Sequence, residues 1–341
     1  MRVSMNNSEL GFLLLTIAGL TNASFTLPMK FTRKWVWENV WLVWTFSALL
    51  MLPPVVTICT VPELVAVYRA SGAGQILTVM AFGAGWGISQ VFFGIAADAI
   101  GIALTFSLVL GTSAAVGALI PLLRLHPERI HTPAGHALLI GIATVLLGVA
   151  ICAIAGRLRE KRSAGQPQGR KASAGLILAI LCGCAAALMN LGIAFGAPMI
   201  DIAVRYGANR SNASNAVWLP LLLAGAIPNL LYCLYLLNKN SSGRNFKLPL
   251  PGHWFLGLIM GILWFGSVLL YGASVSRLGP LGASVGWPLF MSLIVIAASL
   301  LGLVTGEWKN CGRWPFTIQL TGVTAVTFAI FLLARAAQAL T

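Results

Sequence analysis

The chain alternates long apolar stretches with short polar connections. Cutting it at every Asp, Glu, Lys and Arg leaves ten fragments of roughly 20 residues or more, the length that a helix needs to cross a bilayer. The fragments are residues 11–29, 39–62, 70–97, 99–123, 132–156, 172–200, 211–238, 248–276, 278–306 and 314–334. The pattern predicts an all-α, polytopic membrane protein in which each fragment forms one transmembrane helix.

Composition excludes an ordinary water-soluble fold. Hydrophobic residues make up 58% of the chain and charged residues 9%, whereas soluble domains carry about 25% charged residues. The first apolar fragment follows a polar Asn-Asn-Ser-Glu segment and has no small-residue cleavage site before Lys30. We therefore interpret it as a retained first helix and not as a signal peptide.

The third and eighth fragments repeat each other without a gap at a shift of 178 positions. The matched positions are Gly83 with Gly261, Trp86 with Trp264, Phe93-Gly94 with Tyr271-Gly272, and Gly101 with Gly279. A weaker echo joins Phe25-x-x-Pro28-Met29 to Phe195-x-x-Pro198-Met199. The repeat predicts two five-helix halves, residues 1–156 and 174–341, joined by a basic linker at residues 157–173. Because five is odd, the second half is inverted, an architecture that places substrate sites near the membrane midplane.

The net charge of +14 is distributed unevenly between the two sides of the membrane. Of the 22 Lys and Arg residues, 14 lie in the connections that follow odd-numbered helices. Positive charge favours the cytoplasmic side, so we expect these connections and the linker to be cytoplasmic, beside anionic lipid, and both termini to be periplasmic. The charge thus indicates membrane orientation, and we expect no nucleic-acid partner. Oligomeric state stays open.

Small and helix-breaking residues inside the fragments give two further predictions. Gly83-x-x-x-Gly87 and Gly192-x-x-x-Gly196 are typical of helices whose backbones approach closely in lipid. Pro220, Pro228 and Pro288 are expected to kink or break their helices.

Several strings resemble one family along essentially the whole chain. The run Pro28-Met-Lys-Phe-Thr-Arg-Lys-Trp-Val-Trp-Glu-Asn-Val-Trp41 resembles the first-loop signature of bacterial L-rhamnose–proton symporters, a branch of the drug/metabolite transporter (EamA-like) superfamily. Similar strings are Phe82-Gly-Ala-Gly-Trp86-Gly-Ile, Pro198-Met-Ile-Asp201, Trp287-Pro-Leu-Phe-Met-Ser292 and Gly306-Glu-Trp-Lys-Asn-Cys-Gly-Arg-Trp-Pro315.

The resemblance implies a secondary active transporter of the inner membrane that takes up L-rhamnose or a related sugar with protons by alternating access. The alternative is a metabolite or amino-acid exporter of the same superfamily. An enzyme is not expected, because the chain has neither an acidic metal–phosphate motif nor a nucleophile paired with a base. We expect no catalytic residue, cofactor or metal.

A sugar site requires amides for hydrogen bonds and an aromatic ring for stacking. The apolar fragments offer Asn22, Gln90, Asn190 and Asn229 as amides and Trp86, Trp264 and Trp287 as rings, and we predict substrate contacts from this set. Trp35, Trp37, Trp41 and Trp308 lie near helix ends and are predicted to anchor at the membrane interface.

Proton coupling requires a group that changes charge, and acids inside the membrane are the usual relays. No acid falls near the centre of an apolar fragment. The nearest candidates lie at fragment ends: Glu38, Asp98, Asp201 and Glu307.

Overall fold

The computed structural model describes residues 7–163, 169–278, 282–306, 308 and 312–338. All regular structure in these residues is helical, and ten helical spans are long and apolar enough to cross a membrane, which confirms the predicted class. The α-helices are α1 (Asn7–Ser24), α2 (Trp37–Thr45), α3 (Leu52–Thr60), α4 (Leu64–Ile100), α5 (Ile102–Leu125), α6 (Pro133–Ser163), α7 (Gly169–Phe195), α8 (Ala197–Arg205), α9 (Asn215–Lys239), α10 (Pro251–Val275), α11 (Gly282–Val304) and α12 (Arg313–Gln338).

Two spans consist of two helices each. A π-helical turn, Phe46–Met51, joins α2 to α3 in the second span, and Gly196 separates α7 from α8 in the sixth. We call the side of the connections after odd-numbered spans the near side, and the opposite side the far side.

The three prolines inside spans do not break their helices. Pro220 and Pro228 lie inside a continuous α9, and Pro288 lies inside a continuous α11. The structure thus shows no break at these positions, while a kink stays a prediction. At Pro220, the Ala216 carbonyl that loses its helical donor accepts a hydrogen bond from the Tyr68 hydroxyl. The observed interruption in the third span is at Gly72, whose φ of 76° lies in the left-handed region.

Helix extends into both described ends of the predicted linker. α6 continues to Ser163 and α7 begins at Gly169, while residues 164–168 lie outside the described part of the chain. The Arg, Leu, Lys and Ala residues of these ends favour helix. The boundaries of the two halves stay a prediction.

Helix packing follows the same scheme in both halves. α4 packs on α7 and α9, and α10 correspondingly packs on α1 and α2. α5 packs on α6 and α7, and α11 correspondingly packs on α12 and α1. The α5–α11 and α6–α12 contacts pair equivalent spans across the two halves. The contacts of spans one to five therefore correspond in order to those of spans six to ten. An inverted repeat would give this correspondence, and the inversion itself stays a prediction.

Glycines bring α4 into backbone contact with α9. A Cβ on Gly83 would lie within 3.0 Å of three backbone atoms of Leu221, and a Cβ on Gly87 would overlap the backbone of Gly225. A Cβ on the repeat-equivalent Gly261 would overlap the Ser47 side chain of the second span. Close helix approach through glycine is thus confirmed for Gly83 and Gly87.

We predict that Gly83→Leu destabilises the protein, because a rigid backbone stands where the new side chain would go. The expected loss is roughly 1–3 kcal/mol or more, measured by denaturant unfolding in detergent micelles. Gly74→Leu is the matched control on the same helix, since a Cβ there would meet no atom within 4 Å. Equal stability of the two variants would contradict the packing described here.

Candidate functional site

The two repeat-equivalent tryptophans meet at the centre of the helix bundle. The rings of Trp86 from α4 and Trp264 from α10 stack with centroids 5.3 Å apart and an angle of 24° between planes. Both side chains are buried, and Trp86 also lies against Gly225 of α9. The glycine contacts of α4 with α9 hold the Trp86 ring in this position. In this conformation each of the two predicted stacking rings occupies a face of the other.

Three further tryptophans extend this pair toward the near side. Trp44 makes an edge contact with Trp264 at 5.2 Å, Trp41 lies 4.4 Å from Trp44, and Trp37 stacks on Trp41 at 5.0 Å. We call Trp37, Trp41, Trp44, Trp264 and Trp86 the tryptophan row. The buried Trp44 Nε1 has no hydrogen-bond partner among the described residues.

The predicted amides Asn22 and Gln90 lie beside this central pair in matching arrangements. Asn22 Nδ2 donates to Ser267 Oγ at 2.8 Å, and Ser267 in turn donates to the Trp264 carbonyl at 2.6 Å. Gln90 Nε2 contacts Ser89 Oγ at 3.2 Å, and Ser89 donates to the Trp86 carbonyl at 2.6 Å. Ser89 and Ser267 are repeat equivalents, 178 positions apart.

Asn229 also lies in this region, where it bonds to Trp41, a residue that was predicted to lie at the membrane interface. Its Oδ1 accepts a hydrogen bond from Trp41 Nε1 at 3.0 Å, and its Nδ2 donates to the Gly225 carbonyl at 3.0 Å. Trp41 is only 9% exposed. The prediction that Trp41 anchors at the membrane interface is therefore wrong, because Asn229 and the neighbouring indoles enclose it.

Trp35 is also buried in protein and not exposed at the interface. Its ring lies 5.2 Å from Phe246 and 5.3 Å from Trp254, and its Nε1 donates to the Asn245 carbonyl. The connection between α9 and α10 folds over this ring, which spacing from a helix end could not indicate. The anchoring prediction for Trp35 is wrong as well.

Asn190 and Trp287 form a second cluster nearer the far side. Asn190 Nδ2 donates to the carbonyls of Gly117 and Ala283, and its Oδ1 accepts a hydrogen bond from the Tyr271 hydroxyl. Trp287 Nε1 donates to the Ser113 carbonyl at 3.0 Å. Tyr271 and Asn190 are fully buried. This cluster joins α5, α7, α10 and α11. Tyr271 was not among the predicted substrate residues, although its place opposite Phe93 in the repeat marks it as the more polar of the two.

The candidate acids that the structure describes do not lie beside the stacked rings of Trp86 and Trp264, which we call the tryptophan pair. Glu38, at the near-side start of α2, is 4% exposed and accepts hydrogen bonds from Asn240 Nδ2 at 2.9 Å and Ser242 Oγ at 2.6 Å. Asp201 is exposed on α8. Asp98 lies in α4 near its end, and Glu307 lies outside the described residues. Among the acidic side chains that the structure describes, only Glu38 is buried.

A cavity with a volume of about 660 Å³ lies at the near side, between the near-side ends of α1, α5, α6, α11 and α12. Small-molecule pockets typically measure about 300–1,000 Å³. Its wall is mostly apolar, and a hydrogen bond of 2.8 Å from Gln319 Nε2 to Ser299 Oγ lies within it. Arg159 lies over the Trp308 ring at 4.9 Å. The polar and charged lining residues are Thr26, Lys30, Ser107, Arg159, Ser299, Thr305 and Gln319.

None of the predicted substrate residues is among those that line this cavity. Asn22 lies one helical turn before Thr26, which does line it, so the cavity and the tryptophan pair adjoin through α1. Across the described ranges, no group of three or more His, Cys, Asp or Glu side chains is placed to hold a metal ion.

Ten spans with internal interruptions, glycine-mediated helix contacts and a central aromatic and amide cluster are typical of secondary transporters of the membrane. Sequence comparison specifies the family. The chain belongs to the L-rhamnose-proton symport protein (RhaT) family, whose model matches residues 5–337.

Relatives named L-rhamnose-proton symporter are similar over nearly their whole length. The protein from Cronobacter sakazakii is 30% identical over 332 residues, which cover 95% of this chain and 96% of the relative. The protein from Salmonella typhi is 28% identical with the same coverage. The protein from Klebsiella pneumoniae is 29% identical over 321 residues, 92% of this chain and 93% of the relative.

We predict that Asn190→Leu destabilises the protein more than Asn22→Leu does. The first substitution removes the acceptor of the buried Tyr271 hydroxyl and the side-chain donor of the Gly117 and Ala283 carbonyls, at about 1–3 kcal/mol for each group that is left unsatisfied. The second removes a single hydrogen bond from a half-buried amide. Thermal unfolding of both variants in the same detergent measures the difference, and the reverse order would show that Asn190 does not hold the far-side cluster together.

Proposed function

We propose that this protein is a proton-coupled symporter that takes up L-rhamnose or a related sugar across the inner membrane by alternating access. The single observation that carries the proposal is the family match over residues 5–337, with relatives of that name covering nearly the whole chain. The ten membrane spans agree with this role. The exporter alternative finds no support in these comparisons, and no catalytic reaction is proposed.

The substrate site lies at the tryptophan pair, between two inverted repeats. The mirrored helix contacts and the matching Ser89 and Ser267 hydrogen bonds support the repeat. A sugar brings an apolar C–H face for an indole and hydroxyls for amides. Asn22 and Gln90 are half-buried beside the rings and can exchange their bonds to serine for bonds to the sugar. Sugar binding then requires the two stacked rings to separate.

We assign the near side to the cytoplasm and take the present conformation to be the one that is open to that side. The excess of Lys and Arg in the near-side connections supports this orientation, and the cavity lies on that side. The central linker is then cytoplasmic and both termini are periplasmic. Sugar released from the tryptophan pair would leave through the cavity.

Glu38 is the proposed proton carrier among the four candidate acids. Its burial and its position at the start of the helix that carries Trp41 and Trp44 support this role. The two donors from Asn240 and Ser242 stabilise the ionised carboxylate, so a proton taken up there would weaken the bond between α2 and the connection after α9. Protonation and helix position are thereby linked. Asp98, Asp201 and Glu307 remain alternative candidates.

We predict that Trp86→Ala and Trp264→Ala each reduce uptake of radiolabelled L-rhamnose into proteoliposomes by at least about tenfold, because aromatic stacking on sugar is lost. Wild-type protein should accumulate the sugar only with an inward proton gradient, and an uncoupler should abolish accumulation. Trp254→Ala, at an exposed ring, is the control. Unchanged uptake by both central variants would remove the midplane site, and proton-independent outward movement of amino acids by wild type would remove the symport proposal.

We predict that Glu38→Gln separates exchange from coupling. The amide keeps the size of the side chain and still accepts hydrogen bonds but cannot take up a proton, so sugar counterflow should continue while proton-driven accumulation is lost. The measurement compares both assays in the same vesicles, with Asp201→Asn at an exposed acid as the control. Loss of both activities together with lowered stability would assign Glu38 a structural role, and retained accumulation would exclude it as the carrier.

A further inference from the structure

Two repeat-equivalent glycines have opposite surroundings in this structure. Near the end of α10, a Cβ on Gly272 would lie 2.7 Å from Trp218 Nε1 and would overlap Ser214 Oγ. Near the end of α4, a Cβ on Gly94 would have no heavy atom within 4 Å outside its own helix. Of these two equivalent glycines, Gly272 is thus tightly packed at the far side and Gly94 is open at the near side.

The partner of Gly272 also has a sequence counterpart. The string Val217-Trp218-Leu219 at the start of α9 repeats Val40-Trp41-Leu42 of α2 at a shift of 177 positions. Trp41 therefore corresponds to Trp218, and it bonds to Asn229 of α9, the helix on which α4 packs. Gly272 touches Trp218, whereas Gly94 does not touch Trp41.

Other contacts also close the far side. Tyr271, next to Gly272, donates to Asn190, and Arg277 donates to Ser211 in the connection between α8 and α9. The repeat counterpart of Tyr271 is Phe93, which is half-buried and contacts Phe106 at 5.8 Å. Phe106 lines the near-side cavity, so the segment that carries Gly94 borders the open space.

We propose that Gly94 and Trp41 form a near-side gate, open here, and that Gly272 and Trp218 form the equivalent far-side gate, closed here. This proposal rests on the proposed alternating-access function. When the near side closes, the end of α4 moves onto α2 until Gly94 lies against the Trp41 indole, as Gly272 now lies against Trp218. Only glycine leaves room for the indole in the closed state, so Gly94 positions α4 for transport.

The gate is physically connected to the substrate site. Trp41 is a member of the tryptophan row, in contact with Trp44 and through it with Trp264. Trp41 also bonds to Asn229 of α9. Closure against Trp41 would therefore displace rings that lead to the tryptophan pair, which links the occupancy of the site to the position of α4.

The first test is transport by Gly94→Leu. A Cβ at position 94 meets no neighbouring heavy atom in the present structure, so the variant should fold and reach the membrane at the wild-type level. It should fail to close the near side, and uptake should fall by at least about tenfold, as expected when one of two alternating states is disfavoured. Gly74→Leu, also on α4 and also with an unoccupied Cβ position, should transport normally. Wild-type uptake by Gly94→Leu overturns the proposal.

The second test measures how readily the near side opens, independently of any sugar. A Ser107→Cys reporter in the near-side cavity, in a background with the six native cysteines replaced by alanine, is labelled with a membrane-impermeant maleimide in right-side-out and inverted vesicles. Gly94→Leu should label as fast as the parent or faster. Gly272→Ala, which crowds the far-side gate and favours near-side closure, should label more slowly.

These outcomes separate the gate from the transported substrate. Labelling of Gly94→Leu at the parent rate or faster, together with slower labelling of Gly272→Ala, supports the gate even where L-rhamnose uptake is absent, in which case the sugar assignment fails alone. Slower labelling in Gly94→Leu, or unchanged or faster labelling in Gly272→Ala, overturns the gate even where L-rhamnose is transported. Unfolding measurements on both variants establish that the compared proteins are folded.

Discussion

Backbone contact between α4 and α9 is the constraint on which the centre of this protein depends. Helices in lipid gain little from apolar burial against each other, because the surrounding hydrocarbon is equally apolar, and close packing supplies their association instead. Gly83 and Gly87 allow the α4 backbone to reach Leu221 and Gly225 directly. This close approach places the Trp86 ring against Gly225 and in stacking contact with the Trp264 ring. A side chain at either glycine would separate the helices and with them the two rings.

The buried amides Asn190 and Asn229 form hydrogen bonds between spans. Asn190 connects α7 with α5, α10 and α11, and Asn229 connects α9 with α2 through Trp41. Unpaired amides in hydrocarbon are costly, so these bonds specify which helices are neighbours. Asn22 and Gln90 differ, because each is half-buried and bonds to a serine that also caps a tryptophan carbonyl. These two amides can therefore exchange their present hydrogen bonds for bonds to a ligand at the lowest cost in free energy.

The two halves of the protein are alike in helix contacts and unlike in local packing. Equivalent spans touch equivalent partners, yet Gly272 is tightly enclosed while Gly94 is open, and Tyr271 is buried while Phe93 is partly exposed. Such differences between matched positions are expected when one fold supports two states that exchange the roles of its halves. Under the proposed alternating access, a cavity on one side and a hydrogen-bonded cluster on the other are what one such state would show.

The sequence by itself determined the ten spans, because a lipid solvent requires long charge-free helices and admits few alternatives. It also indicated the repeat that pairs Trp86 with Trp264, since a gapless motif of glycines and aromatics survives in the chain. Only the tertiary structure decided that these rings stack on each other, that Trp35 and Trp41 are enclosed by protein, and that Pro220, Pro228 and Pro288 lie in continuous helices. Those outcomes depend on neighbours more than 100 positions away, such as Asn229 beside Trp41. The burial of a residue depends on what packs against it, and spacing along one helix does not identify that partner.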